Sequence, residues 1–249
     1  MGLVLEAKGL GKSFVAAGST VHALRDVSFK VEEGEFVSIV GPSGAGKSTL
    51  LYLLGGLERP TQGTVTVEGK ELSKLSERDL TLFRRARTGF VFQLFNLLPT
   101  LDVRENIALP FSIAGLDGSD QRDRAEDMIE LFGLRGRERH RPNQLSTGEQ
   151  QRVAIAKGFL TNPAILIADE PTGNVDSSTG IEIIQLLWES CDNFGQTIML
   201  VTHQPRVAAF ADRVLFLKDG ALVDQLVLGR RDDHHDPGAV IDRLQELGL

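Results

Sequence analysis

The feature that most constrains this chain is a glycine-rich segment that ends in a lysine and two hydroxyl residues. Residues 41–49 read Gly-Pro-Ser-Gly-Ala-Gly-Lys-Ser-Thr, which fits the pattern G-x-x-x-x-G-K-[ST]. A strand-like apolar run precedes it at 36–40, and one helix with an apolar pattern is predicted after it, from Lys47 to about Leu57. Glycines let backbone N–H groups surround phosphates, and the start of a helix adds its positive end. The segment therefore predicts a phosphate-binding P-loop between a strand and a helix.

Within this loop, Lys47 is expected to bridge the β- and γ-phosphates of a nucleotide, and the Ser48 hydroxyl to ligate Mg²⁺. A glycine turn that merely caps a helix would not explain Lys-Ser at this point. The whole loop is predicted to hold the nucleotide: Gly41, Pro42, Ser43, Gly44, Ala45, Gly46, Lys47, Ser48 and Thr49. Kinases, GTPases, motors and transport ATPases all remain open at this stage.

Two carboxylates follow another apolar run at 165–168, namely Asp169 and Glu170. The first is expected to hold Mg²⁺, often through water, and the second to polarise an attacking water. Acidic residues after a buried strand are common, so the pair gains its meaning from the upstream P-loop. The guanine-reading motif N-K-x-D is absent from the sequence, which argues against a GTPase.

A third motif, Leu-Ser-Thr-Gly-Glu-Gln-Gln, occupies residues 145–151. Ser146 and Glu149 have the spacing of a helix capping box, which is the simplest interpretation. A helix start that carries a hydroxyl and a glycine is also an anion site. The P-loop by itself does not require a second anion site.

In order and spacing, these three motifs together with Gln93, Asp176 and His203 resemble the nucleotide-binding domain of ABC ATPases, and the likeness extends to about Leu228. It implies an α/β fold, with a RecA-like P-loop NTPase core, an antiparallel β subdomain and an α-helical lobe at about 94–160. The domain would span 1–228. A polar linker and a short helix would follow at 229–249.

The resemblance also implies residue roles. Gln93 would sense Mg²⁺ and the attacking water, His203 would touch the γ-phosphate, and Asp176 would lie at a dimer seam. Ser146 and Gly148 would contact the nucleotide held by a second copy. One chain then carries two half-sites, so the resemblance implies a head-to-tail homodimer that binds Mg-ATP and hydrolyses it.

Three positions depart from the family pattern. Phe14 stands where a tyrosine often stacks on adenine, Thr147 replaces a glycine, and Glu149 replaces a common glutamine. None of these changes removes a catalytic group, so hydrolysis is expected. The expected catalytic set is Lys47, Gln93, Glu170 and His203, and the expected metal-site set is Ser48, Gln93 and Asp169.

A narrower likeness lies in residues 168–174, 140–142 and 92–99, which look like the lipoprotein-release (LolD-type) and macrolide-export (MacB-type) ATPases. It implies export or extraction of a substrate through separate integral membrane permease subunits. The groove after Gln93, with Phe95, Leu97 and Leu98, is the candidate docking surface, and plain core packing is the alternative for it.

Two other functions stay open on the sequence, and a third is disfavoured. The cell-division ATPase shares some features of the narrower likeness, so mechanical signalling across a membrane is one alternative. A soluble ABC ATPase without a membrane partner is another, although such proteins usually carry tandem ATPase halves or a coiled coil, and neither is visible here. A regulatory module that binds ATP without hydrolysing it conflicts with the complete catalytic set.

Net charge and the length of the apolar runs limit the partners and the cellular location that can be expected. The net charge of −7 argues against a nucleic-acid partner. No run approaches the ~18 apolar residues that cross a bilayer, and charge interrupts residues 1–8 too soon for a signal peptide. We therefore expect the cytoplasmic face of the cell membrane, with attachment through a membrane partner. Cys191 reads as a packed thiol, and His234 and His235 as solvated residues that bind no metal.

Overall fold

The computed structural model describes residues 2–16, 19–116, 118–229 and 236–249. The strands are β1 (Leu3–Ala16), β2 (Ser19–Glu32), β3 (Phe36–Val40), β4 (Gln62–Val67), β5 (Lys70–Glu71), β6 (Thr88–Val91), β7 (Ile165–Asp169), β8 (Ile198–Val201), β9 (Arg213–Lys218) and β10 (Ala221–Val227). The α-helices are α1 (Lys47–Leu54), α2 (Glu77–Arg87), α3 (Val103–Ala114), α4 (Ser119–Leu131), α5 (Thr147–Phe159), α6 (Ser177–Phe194), α7 (Pro205–Ala208) and α8 (Gly238–Leu247).

Six strands form the central sheet in the order β10-β9-β3-β8-β7-β6, parallel except for β10 at one edge. All residues of β3 and β8 are buried. Strands covered on both faces read as continuous apolar runs, which is why the sequence shows no alternation here. The carboxyl ends of β3, β7 and β8 meet at one edge of this sheet, where the P-loop follows β3, Asp169 ends β7 and His203 follows β8.

A second, antiparallel sheet has the order β2-β1-β4-β5. Along β2, Val27, Phe29 and Val31 are buried while the residues between them are exposed. This alternation is typical of a sheet with one face on the core. The predicted antiparallel subdomain is therefore present, with the long β1–β2 hairpin as its largest part.

Helices α3, α4 and α5 form the predicted helical lobe. Both α3 and α5 begin with a capping box, at Asp102 with Glu105 and at Ser146 with Glu149. Buried Asn106 accepts a hydrogen bond from the backbone N–H of Leu98 at 2.8 Å, and its amide donates to three nearby carbonyls. This one side chain fixes the irregular segment that leads from β6 into the lobe.

Two local features differ from the sequence-based expectation. The P-loop helix was expected to continue to about Leu57, but it ends at Leu54. A Cβ at Gly55 would lie 2.4 Å from the Phe90 ring, and Gly56 has a φ of 68°, so the chain turns there. Helix α2 was not anticipated, because its charged sequence buries little besides Leu80 and Phe83.

The C-terminal helix α8, expected from its amphipathic pattern, packs on the central sheet. Val240 is fully buried beside Val40 and Phe216, and the Lys218 ammonium donates to the carbonyl of Leu247 at 2.8 Å. The preceding polar break, with His234 and His235, lies outside the described residues. The division into a domain at 1–228 and a tail at 229–249 stays a prediction.

Within the described ranges, no helix combines the length and the apolar character needed to cross a bilayer. Cys191 is buried, as its apolar sequence setting predicts.

We expect Val240→Asp to lower the free energy of unfolding by about 2 to 3 kcal/mol, because a carboxylate would enter an apolar contact. Thermal or urea unfolding measures this. Ile241→Asp, at the adjacent exposed position, is the matched control and should cost much less. Equal losses in the two variants would contradict the packing of α8.

Candidate nucleotide site

The P-loop connects β3 to α1 in a conformation that its glycines make possible. Gly46 has a φ of 99°, and a Cβ there would lie 2.4 Å from the carbonyl oxygen of Ala23. At Gly41, a Cβ would lie 2.1 Å from the carbonyl oxygen of Leu217. Any larger residue at either position would have to displace backbone. The glycines are therefore needed for close packing against β2 and β9 as well as for phosphate access.

The start of α1 is open to an anion. Its N-cap, Gly46, supplies no side-chain hydrogen bond to the first turn, so the N–H groups and positive end of the helix remain available. The Lys47 ammonium folds over the loop and donates to the carbonyls of Gly41 at 2.8 Å and Pro42 at 3.0 Å. These features match a phosphate cradle.

Asp169 lies opposite the P-loop, at the end of β7. The Ser48 hydroxyl donates to its Oδ1 at 3.2 Å. Burial raises the pKa of the Asp169 carboxyl, the nearby charge of Glu170 raises it further, and the Ser48 hydrogen bond and Lys47 oppose this. The result is a carboxylate whose negative charge is incompletely compensated. It lies beside the Ser48 hydroxyl oxygen, which is a second possible metal ligand.

Glu170 and His203 form a direct pair because β7 and β8 are neighbours. The Glu170 backbone N–H donates to the carbonyl of Val201 at 3.0 Å, which places Glu170 beside the residues that follow β8. The His203 Nδ1 is 2.9 Å from both carboxylate oxygens of Glu170. Glu170 also has a φ of 49°, an uncommon backbone conformation that re-aims its side chain out of the strand.

Gln93 follows β6 and contacts the turn after Glu170. The Asn174 amide donates to the Gln93 carbonyl at 2.7 Å. A Cβ at Gly173 would lie 2.9 Å from the Gln93 Nε2, so this glycine lets the two segments touch. The structure thus brings Lys47, Ser48, Gln93, Asp169, Glu170 and His203 to one edge of the central sheet.

The other predicted nucleotide contacts lie in a separate cleft of about 460 Å³. Ser146 and Gly148 line it from the start of α5, and Asp176 lines it from the start of α6. No residue of 41–49 is among the described residues that form this cleft. Within one chain, the two groups of predicted site residues are therefore not brought together.

The walls of this cleft are tightly packed. A Cβ at Gly148 would lie 2.5 Å from the Thr179 Cγ2. Thr179 is in turn held by Asp176, whose carboxylate accepts from the Thr179 hydroxyl at 2.7 Å and from its N–H at 3.1 Å. A hydrogen bond from the Ser178 hydroxyl, followed by these two from Thr179, holds the pKa of the Asp176 carboxyl well below its usual range. Gly148 is needed for this intrachain fit as well as for its expected nucleotide contact.

Of the three residues predicted to form a docking surface, Phe95 lines a groove, whereas Leu97 and Leu98 do not. A groove of about 390 Å³ lies between α2, α3 and α5, and Phe95 lines it with Phe90 and Phe92. Leu97 instead packs against the buried core of the helical lobe, so the core-packing alternative holds for that residue. Leu98 is exposed but does not line the groove.

Sequence reasoning missed several groups near these sites. Burial lowers the pKa of the Lys157 ammonium, which lies in the groove and donates to the carbonyl of Asn96 at 2.8 Å. Burial and then the charge of Asp169 raise the pKa of Tyr52. A lone lysine within the apolar run 153–159 was the available signal for the first, and the spacing of four between Ser48 and Tyr52 on α1 was the signal for the second.

Comparisons with known proteins agree with this geometry. A family model described as ABC transporter matches residues 24–173. An ABC transporter ATP-binding protein of Thermotoga maritima is 46% identical over 219 residues, which is 88% of this chain and 93% of that protein. The macrolide export ATP-binding/permease protein MacB of Rhodopseudomonas palustris is 43% identical over 89% of this chain but only 34% of its own length.

A solved structure of the ATP-binding cassette MJ0796 of Methanocaldococcus jannaschii, a dimer in a post-hydrolysis state bound to ADP and Pi, has a TM-score of 0.84 and 41% identity. The similarity covers 91% of this chain and 100% of that one. The predicted fold class is thereby confirmed. The matched span and the identities show that the chain belongs to the ABC transporter family, as an ATP-binding subunit that hydrolyses ATP.

Proposed function

We propose that two copies of this ATPase assemble head to tail, and that each composite site takes the P-loop from one copy and the cleft at Ser146 and Gly148 from the other. The observation that carries the proposal is the separation of the two groups within one chain. Neither group surrounds a nucleotide alone. A second copy supplies the missing wall, and the solved MJ0796 dimer supports such an assembly.

In this site, Lys47 and the start of α1 bind the β- and γ-phosphates of ATP, and Phe14 stacks on the adenine ring. Glu170 accepts a proton from a water molecule, the oxygen of that water attacks the γ-phosphorus, and the bond to the β,γ-bridging oxygen breaks so that ADP leaves. The His203 Nδ1 lies 2.9 Å from the Glu170 carboxylate, so His203 orients the base. Gln93 and Asp176 link this site to the helical lobe and to the partner copy.

Mg²⁺ is expected between Ser48 and Asp169. Their oxygens are 3.2 Å apart, and hard oxygen donors of this kind suit Mg²⁺, which commonly binds through few protein groups together with phosphates and water. Burial leaves the negative charge of Asp169 incompletely compensated, and a bound cation would compensate it. When bound, the ion would neutralise charge on the transferring phosphoryl group. Gln93 is the third proposed contributor.

Glu170→Gln should slow ATP hydrolysis by roughly 10²- to 10⁴-fold, the usual scale for removing a general base. ATP binding should persist, because the amide keeps the shape of the side chain. Phosphate release and nucleotide binding, measured on the same preparation, test this. Glu130→Gln, on an exposed part of α4, is the control and should match the unmodified chain. Near-normal turnover in the first variant would rule out the proposed role.

Asp169→Asn should abolish Mg-dependent hydrolysis yet raise the unfolding temperature of the nucleotide-free chain. Folding raises the pKa of Asp169, so this group makes the folded state less stable as pH rises through the unfolded pKa of about 3.9. The advantage of the asparagine variant should therefore be absent at strongly acid pH and full at neutral pH.

Thermal unfolding across pH, without metal or nucleotide, measures this difference. Asp242→Asn, on the exposed face of α8, is the control. A variant less stable than the unmodified chain at neutral pH would contradict the account of Asp169.

We also propose that the ATPase is held at the cytoplasmic face of a membrane by permease subunits that dock in the groove at Phe90, Phe92 and Phe95. The floor of this groove is apolar, and its cations are Arg84, Arg85 and Lys157. None of the described residues that line it is acidic, although the chain carries 34 acidic residues against 27 basic ones. A permease segment with an apolar side chain and a carboxylate would complement it.

The similarity to MacB, whose own name includes a permease, supports export or extraction of a substrate as the work done. The proposed cycle couples closure of the dimer on ATP, and its opening after hydrolysis, to movement of the docked permease.

Arg85→Glu should lower the apparent affinity for the permease by at least about tenfold, because it places a negative charge against the proposed carboxylate of the permease. Co-purification of tagged, membrane-extracted protein followed by mass spectrometry measures the partner retained. Arg78 is on the same helix but does not line the groove, so Arg78→Glu is the matched control. Equal recovery of a polytopic membrane protein with both variants would contradict the docking site.

A further inference from the structure

We propose that Lys12 and Glu58 form a clip that fixes the orientation of the Phe14 ring and ties it to the end of the P-loop helix. Lys12 and Glu58 thereby act as positioning residues for the nucleotide base. This inference rests on the proposed role of Phe14 as the ring that stacks on adenine.

The contact between Lys12 and Phe14 is direct. The two side chains are two residues apart on β1 and thus share one face of the strand. The Lys12 ammonium lies over the Phe14 ring, 4.9 Å from its centroid. Phe14 is 40% exposed, so little core packing restrains its ring. A cation over one face restrains it and leaves the opposite face for a base.

The ammonium itself is held firmly. It donates to Glu58 Oε2 at 2.8 Å and to the carbonyl of Arg59 at 2.9 Å, and the Lys12 side chain is only 12% exposed. The backbone N–H of Glu58 donates to the carbonyl of Tyr52 in α1 at 3.1 Å. The cation that restrains the ring is therefore attached to the turn that ends the P-loop helix.

That turn is rigid in its own right. The Arg59 guanidinium donates to Glu77 Oε1 and to the carbonyls of Ser73 and Leu75, at 2.8 to 3.0 Å. Two further bonds join the turn to β1, since the Ser13 N–H donates to the Thr61 hydroxyl at 3.0 Å and the Thr61 N–H to the carbonyl of Gly11 at 2.8 Å. Lys12 is the member of this network that reaches the ring.

The position of the ring suits a base. Ala23 on β2 touches the P-loop at Gly46, and Phe14 pairs with Val21, two residues nearer the tip of the hairpin. The ring and the phosphate loop therefore lie against neighbouring parts of the β1–β2 pair. The β1–β2 pairing sets where the ring lies relative to the P-loop, and the clip sets the orientation of the ring.

The test compares two ligands, ATP and inorganic tripolyphosphate, because tripolyphosphate has no base. Lys12→Met keeps the aliphatic length and removes the cation. It should weaken ATP binding by about 3- to 10-fold, the scale of one cation–π contact, and leave tripolyphosphate binding unchanged. Lys12→Arg should restore most of the ATP affinity. Lys74→Met, which breaks the exposed ion pair with Glu71, is the control and should change neither ligand.

Phe14→Ala separates this inference from the role on which it rests. If it weakens ATP binding while Lys12→Met does not, the ring binds the base and the clip is wrong. If Phe14→Ala leaves ATP binding unchanged, the base platform fails and the clip fails with it. Equal losses for ATP and tripolyphosphate in Lys12→Met would show a general structural role and overturn the proposal. With Phe14 already alanine, adding Lys12→Met should cost no further base-specific affinity.

Discussion

The hydrogen bonding of β8 between β3 and β7 is the constraint on which the rest of the structure depends. Thr202 donates to the carbonyl of Ile39 at 3.2 Å, and Glu170 donates to that of Val201 at 3.0 Å. These bonds join three segments that are far apart in the chain. Because parallel strands end at the same edge, the P-loop, the carboxylate pair and His203 meet there. Strand pairing therefore sets the relative positions of the P-loop and of the proposed catalytic groups.

The same burial that makes the sheet stable leaves Asp169 in an unfavourable place for a charge. Its raised pKa reflects desolvation that the Ser48 hydrogen bond and Lys47 do not fully offset. Functional sites commonly retain groups of this kind, since a binding partner supplies the compensation. The cleft at Ser146 and Gly148 is also well formed, and no residue of 41–49 is among the described residues that line it.

Much of the candidate site could be predicted because its residues lie in short segments. In each of them, a single loop or the first turn of a helix sets the residue spacing. The glycines of 41–46 and the capping box at Ser146 are of this kind. Helix α2 could not be predicted, because its few apolar residues become meaningful only when Leu80 and Phe83 meet the core. The end of α1 was missed because it depends on the Phe90 ring, which is distant in sequence.

The sequence by itself determined the family, the fold class and the nucleotide chemistry, because these follow from short motifs and from their order and spacing along the chain. Tertiary structure decided which residues surround those motifs. It placed Lys12 between Phe14 and Glu58, packed Leu97 against the core and Phe95 in the groove, and collected three cations around that groove. Such contacts join segments that no local pattern relates, so only the packed chain shows them.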